Sequence, residues 1–129
     1  MSEARIALGK RGEGLAAAHL RGLGYRILER NCRLTTGELD IVARDGPVLV
    51  FVEVKTRSGT RFGSPLEAVT LSKQRQLVKA ASEYLGRKGL HDSPVRFDVV
   101  GVLVADEGAS TDGPVRIELV RNAFEQGIG

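Results

Sequence analysis

Residues 37–57, GELDIVARDGPVLVFVEVKTR, decide the fold. Two short runs rich in β-branched residues, 39–43 and 48–54, flank Asp45-Gly46-Pro47, whose turn chemistry predicts a β-hairpin. The charge in the second run is out of place. Residues 48–51 are continuously apolar, as in a strand buried on both faces, yet the run continues into Glu53 and Lys55. Alternation puts Glu53 and Lys55 on one face and Val54 on the other. With the loop centred between Asp45 and Gly46, Asp40 is expected opposite Phe51 and diagonal to Glu53, at roughly 7–8 Å between Cα atoms. Two carboxylates at that separation can converge on one cation, with oxygens about 2.0–2.1 Å from a magnesium ion. The same register sets Glu38 opposite Glu53, where two acids repel unless a cation lies between them or the strand end frays. Glu38 therefore reads either as a solvated strand terminus, the preferred reading, or as a ligand acting through water.

Working outward, residues 4–22 read as a helix ended by glycines at 22 and 24. Ile6, Glu13, Ala16, Ala17 and Leu20 form its inward stripe. Glu13 thus stands where an apolar residue is expected, either facing the sheet or reaching water from the stripe's edge. His19 has no role. Residues 25–30 read as the first strand and 31–36 as a polar connection. Beyond Lys55, the loop 56–63 carries Arg57 and Arg61, placed to clamp a backbone phosphate at the mouth of a site or simply solvated. Ser64-Pro65-Leu66-Glu67 has the form of a capping box that starts a helix. Thr70 or Ser72 caps a second segment with an inward stripe of Gln74, Leu77, Val78, Ala81, Tyr84 and Leu85. Lys73, Arg75 and Lys79 read as a solvated face, with Lys73, in the first turn, best placed to reach the site. Residues 95–104 form a central fourth strand in which Arg96 and Asp98 share a face as an internal ion pair. Residues 106–114 are a polar hairpin loop, 115–120 an edge strand, and the tail after Arg121 is expected to fray. Helix, three strands, helix, two strands is an α/β order. It predicts an antiparallel meander followed by a right-handed parallel crossover, giving a mixed sheet flanked by helices.

At 129 residues the chain is read as one domain, 1–129, with room for a single core. No apolar run approaches the roughly 20 residues that span a bilayer, and the N-terminus lacks a signal-peptide core, so the expected compartment is the cytoplasm, without a membrane partner. The single cysteine, Cys32, excludes an intrachain disulfide and a thiolate zinc cluster, and reads as a small buried hydrophobe. Net charge is +3 with a pI near 9.4, a mild lean toward polyanions. Of 19 basic and 16 acidic residues, setting aside Lys55 and the acids Glu13, Asp40 and Glu53 leaves 18 against 13. A metal would offset the acidic pocket and leave a basic surround able to hold phosphates, although a solvated, slightly basic surface reads equally well.

Asp40, twelve residues, then Glu53-Val54-Lys55 resembles the D…(D/E)xK constellation of the restriction-endonuclease-like PD-(D/E)xK nuclease superfamily. More closely, the chain resembles the YraN family of small bacterial proteins, placed near the archaeal Holliday junction resolvases. The resemblance rests on GEGLAAAHL (12–20), GELDIVA (37–43), FVEVKTR (51–57), FGSPLEAV (62–69) and RFDVV (96–100), which span most of the chain. Leu39 stands where many superfamily members have proline. The resemblance implies a restriction-endonuclease-like αβββαβ core with an extra C-terminal edge strand. It also implies a metal-dependent endonuclease acting on nucleic acid, DNA foremost, branched or structured DNA included. Asp40 and Glu53 would then hold Mg2+ or Mn2+, with the Val54 carbonyl as a third ligand. Lys55 would orient or deprotonate the attacking water or stabilise the phosphate. Glu13 matches the first-helix glutamate of resolvase-like nucleases, and Arg57, Arg61 and Lys73 are the candidate phosphate contacts. Junction resolvases cut two strands as dimers, which opens a homodimer as an option without transferring it. The alternative is a non-catalytic nucleic-acid-binding or interaction module that keeps the fold and the acids. A small-molecule hydrolase is disfavoured, because the chain has neither a nucleophilic Ser-His or Cys-His arrangement nor a P-loop.

Overall fold

The computed structural model describes residues 2–59, 64–104 and 115–125. The elements are α1 (Glu3–Gly22), β1 (Arg26–Arg33), β2 (Glu38–Asp45), β3 (Val48–Ser58), a 3-10 turn (Pro65–Ala68), α2 (Leu71–Lys88), β4 (Val95–Val104) and β5 (Val115–Phe124). They form one five-stranded sheet in the order β1-β2-β3-β4-β5. Only β3–β4 is parallel, the remaining pairs being antiparallel. This is the mixed α/β architecture expected, consistent with a restriction-endonuclease-like core. The parallel step is the one that needs a helical crossover, which α2 supplies.

Each face of the sheet buries one helix. Leu20, Ala16 and Ala17 of α1 pack on Ile41, Val50, Val52, Val100 and Val102. Leu77, Ala80, Ala81 and Tyr84 of α2 pack on Val42, Leu49, Phe51, Phe97 and Val99. The side chains of β3 therefore alternate between two cores, which is why its first half reads as an unbroken apolar run. Small residues bring the helical pieces close. A Cβ on Gly12 would lie 1.8 Å from Thr56 Oγ1, and one on Gly101 would lie 2.5 Å from Pro65 Cγ. The glycine in α1 thus lets that helix rest on β3, and the glycine in β4 seats the 3-10 turn on the sheet. Thr70 caps α2 by accepting from the Lys73 N–H at 3.1 Å, and Gly89 closes it at φ 66.

Several expectations need correction. Asp45 pairs with Val48 and Ile41 with Val52, so the hairpin turns on Gly46-Pro47 rather than between Asp45 and Gly46. Gly46 at φ 59 followed by proline satisfies a two-residue turn whose first central residue must have positive φ. Glu38 consequently does not face Glu53. It pairs with Arg33, across a 3.7 Å ion pair. β1 continues to Arg33 through what read as a connection, because Cys32 and Leu34 join the α2-side core. The helix expected from the Ser64 capping box is a single 3-10 turn, interrupted by Val69 in an extended conformation before α2 starts. Ile6 is 45% exposed, since burial along α1 begins only at Gly12, where the helix meets Thr56. The tail after Arg121 does not fray at once: β5 runs to Phe124, whose ring stacks on Phe97 at 4.8 Å. The predicted loop at 106–114 lies outside the described residues.

The Arg96–Asp98 pair is present, at 2.9 Å with Asp98 fully buried. Its remaining acceptor capacity is met by Tyr25 Oη–H at 2.7 Å and by the Asn122 N–H at 2.9 Å. Arg96 also reaches Asp45 at 2.9 Å. Burial and the Asp98 carboxylate push the Tyr25 hydroxyl up to about 12, which keeps it a donor. A buried carboxylate this fully satisfied is a structural tie between β4, β5, the hairpin turn and the end of α1.

Candidate active site

The pairing of β2 with β3 runs from Asp45–Val48 to Ile41–Val52, although both strands continue, β2 to Glu38 and β3 to Ser58. Past that point β2 pairs with β1 and β3 with β4. The two strands splay, and polar side chains occupy the opening. The Val54 N–H, which a continuing ladder would have paired with β2, donates instead to Asp40 Oδ2 at 2.9 Å. Because N–H and C=O of one strand residue point to the same side, the Val54 carbonyl also faces the splay.

Strand alternation breaks where the opening starts. Leu39 and Ile41 are two apart, yet Leu39 joins the α2-side core and Ile41 the α1-side core. Asn31, between the β1 residues that pair with Ile41 and Leu39, is left-handed at φ 51. Asparagine tolerates that conformation, and a kink there re-aims the neighbouring side chains. Asp40 is the residue at the break in β2.

Glu53 and Lys55 share a face as expected, with Lys55 Nζ 3.8 Å from Glu53 Oε2. Lys73, from the first turn of α2, reaches the same oxygen at 3.7 Å. Glu53 is only 4% exposed. Burial first, then hydrogen bonding to and repulsion from Asp40, push its carboxyl up to about 8 against the pull of the two lysines. The Glu53 carboxyl therefore holds its proton near neutral pH, next to the Asp40 carboxyl that accepts from the Val54 N–H. Glu13 approaches from α1. Burial and the charges of Asp40 and Glu38 raise it, while Arg30 lowers it, and its Oε1 is buried without a hydrogen-bond partner among the described residues.

Of the sequence candidates, Asp40, Glu53, Val54 and Lys55 come together, Lys73 joins them, and Glu13 borders them. Among the described residues no three Asp, Glu, His or Cys side chains form a ready metal-holding group, so Glu13 is a neighbour of the acid pair rather than a third member. The acceptors nearest the splay, the Asp40 and Glu53 carboxyls and the Val54 carbonyl, are all oxygen, the donor type that suits magnesium or manganese, and the orphaned Glu13 oxygen stands beside them. Arg57 is exposed beyond the acids, and Arg61 lies outside the described residues. Sequence reasoning missed two residues. Arg116 and Glu118 of β5 line a pocket whose wall includes Lys55. The only sequence signal for them was the alternation of an edge strand, which carries no chemistry.

The model of the uncharacterised protein family UPF0102 matches residues 12–102. A UPF0102 protein of Symbiobacterium thermophilum is 52% identical over 117 residues, covering 91% of this chain and 95% of the relative. One of Geobacter sulfurreducens is 56% identical over 118 residues, covering 92% and 88%. One of Rhodococcus jostii is 50% identical over 120 residues, covering 92% and 97%.

Proposed function

We propose that this chain, which belongs to the UPF0102 family, is a metal-dependent nuclease of the PD-(D/E)xK type that hydrolyses phosphodiester bonds in nucleic acid, DNA foremost. The observation that carries the reading is the buried Glu53 carboxyl set against Asp40 at the splay between β2 and β3, beside a lysine on the same face. Such a pair is unfavourable by itself and becomes favourable around a dication. Asp40, Glu53 and the Val54 carbonyl would hold Mg2+ or Mn2+, with the unpartnered Glu13 oxygen beside them as a further acceptor. The ion, when bound, supplies charge neutralisation at the phosphate and lowers the pKa of a bound water.

The chain's own groups do the positioning. Lys55 holds an ammonium beside the acids, where it can bind a non-bridging phosphate oxygen or orient the attacking water. Lys73 faces the same acid from α2 and would offer a second ammonium to a phosphate oxygen. In hydrolysis a water oxygen bonds to phosphorus as the bond to the leaving sugar oxygen breaks. One proton is lost from that water, and the leaving oxygen takes one up. Oriented charge accounts for the residue types, and a nucleophilic side chain is not required.

The test is cleavage of branched, nicked, flapped and linear DNA with magnesium or manganese. Asp40→Ala, Glu53→Ala and Lys55→Ala are each expected to lose at least about 10³-fold in rate while remaining folded. Wild-type rates in all three would remove the site. The competing reading, a non-catalytic nucleic-acid-binding module, draws on Glu53 being already partnered by two lysines. It predicts DNA binding indifferent to metal and to the Asp40 and Glu53 substitutions. A homodimer would let so small a protein reach two strands, and sedimentation with and without DNA tests it.

A further inference from the structure

Beyond Lys55, on the α2 face, a pocket of about 290 Å³ opens between the 3-10 turn and the edge strand β5. Lys55, Arg57 and Arg116 bring positive charge to its rim, Glu118 supplies one acceptor, and Pro65 and Ala68 give an apolar wall. The register explains the assembly. Lys55 pairs with Gly101 and Gly101 with Glu118, while Arg57 pairs with Leu103 and Leu103 with Arg116. Gly101 contributes no side chain and admits Pro65 at contact distance, so Pro65 supplies an apolar surface between the charged rows. Lys55 is therefore a shared wall, with the acid pair on one side and this pocket on the other.

We propose that this pocket receives a single unstacked nucleotide next to the phosphate that is cut. The inference rests on the nuclease reading for what lies beside Lys55, and on the pocket itself for what enters it. Among the described residues, three cations against one acid call for an anionic ligand. The apolar wall would be wasted on bare phosphate but suits the face of a base. The single carboxylate can accept from the N–H groups at a base edge. The volume sits at the lower end for ligand pockets, enough for one base with part of its sugar and too small for stacked pairs. Extracting a base from a duplex costs most when it is paired and least when it is already single-stranded. Substrates with an unpaired nucleotide flanking the cut, such as flaps, branches and ends, are thus preferred over continuous duplex.

Two measurements test this. In the first, deoxynucleoside 5′-monophosphates are titrated without metal into the full-length Glu53→Gln protein and followed by amide NMR. Shifts are expected at residues 64–68 and 101–103, with binding about tenfold weaker in Arg116→Ala, a change on an exposed edge strand. Inorganic phosphate is run in parallel. Equal shifts with phosphate alone, or none in these segments, overturn the proposal. In the second, the wild-type protein cuts a branched DNA carrying an abasic residue at each position flanking the cleaved phosphate in turn. One position is expected to raise KM about tenfold. Ala68→Leu, which fills the wall, should do the same to the intact substrate and add little on the abasic one. Equal cutting of intact and abasic substrates overturns the pocket and leaves the nuclease standing. Nucleotide binding by a protein that cuts nothing overturns the nuclease reading and leaves the pocket.

Discussion

Glu53 concentrates the physics of this molecule in one side chain. It is an acid at a position the sheet buries, next to a second acid and two lysines, and its carboxyl is pushed from the usual 4.5 up to about 8, first by burial and then by Asp40. A carboxyl raised in the folded state keeps its proton while the unfolded chain has lost its own. Its stabilising contribution is therefore complete below about 4.5 and is lost as pH rises through 8. Without metal, the protein should lose stability across that window. Glu53→Gln should abolish the dependence and leave the variant more stable by ~2 kcal/mol at pH 9, read from denaturant curves at pH 5, 7 and 9. A metal held as proposed would reverse the preference, because a dication must displace the Glu53 proton. Magnesium affinity should tighten roughly tenfold per pH unit up to about pH 8, with proton release visible by calorimetry in two buffers of different ionisation enthalpy.

At the scale of elements, the decisive feature is that β2 and β3 part company after Ile41–Val52 while each keeps its outer neighbour. A continuous ladder would have used the Val54 peptide for pairing. The splay hands its N–H to Asp40 and turns its carbonyl into the opening. β5 makes a comparable departure on the far side of the sheet. Its register shifts opposite Asp98, Asn122 takes φ 50, and its N–H closes the buried carboxylate's bonding. The end of β5 is anchored by Phe124 on Phe97. Phe124→Ala should cost about 3 kcal/mol and lower Tm by about 10 °C, with magnesium affinity unchanged because the ring packs in the apolar core on Phe97. A loss of metal binding equal to that of Asp40→Ala would contradict this separation of structural and functional ties.

For the whole molecule, a net charge of +3 is too small to hold nucleic acid by long-range attraction alone, so on the proposed reading affinity would come from a few placed cations. Arg57, Lys73 and Arg116 stand on the side of the acid pair and pocket, beside Lys55, which the proposed reaction keeps at the cut phosphate. Three phosphate contacts imply that log K falls against log salt with a slope of roughly −3 on duplex DNA. Arg57→Ala should weaken binding about equally across sequences and reduce that slope by about one. Fluorescence anisotropy over a salt series measures both, and a slope near zero would contradict phosphate contact. Among the described residues, no helix is long and apolar enough to cross a membrane.

The sequence by itself determined the elements and their order, because turn chemistry, caps and apolar periodicity are local. Thr70, one of the two caps that the sequence offers, starts α2, and 95–104 is a strand by composition alone. It also determined that Glu53 and Lys55 share a face, since parity along one strand needs no partner. Tertiary structure decided what depends on relations between strands. The hairpin centre moved to Gly46-Pro47, which took Glu38 out of the site and gave it to Arg33. The break in alternation at Asp40 and the left-handed Asn31 opened the splay. Arg116 and Glu118 gained a place beside Lys55 only through pairing across two strand boundaries. Register and splay arise from contacts between segments far apart in the chain, whose energies no local pattern of residues contains.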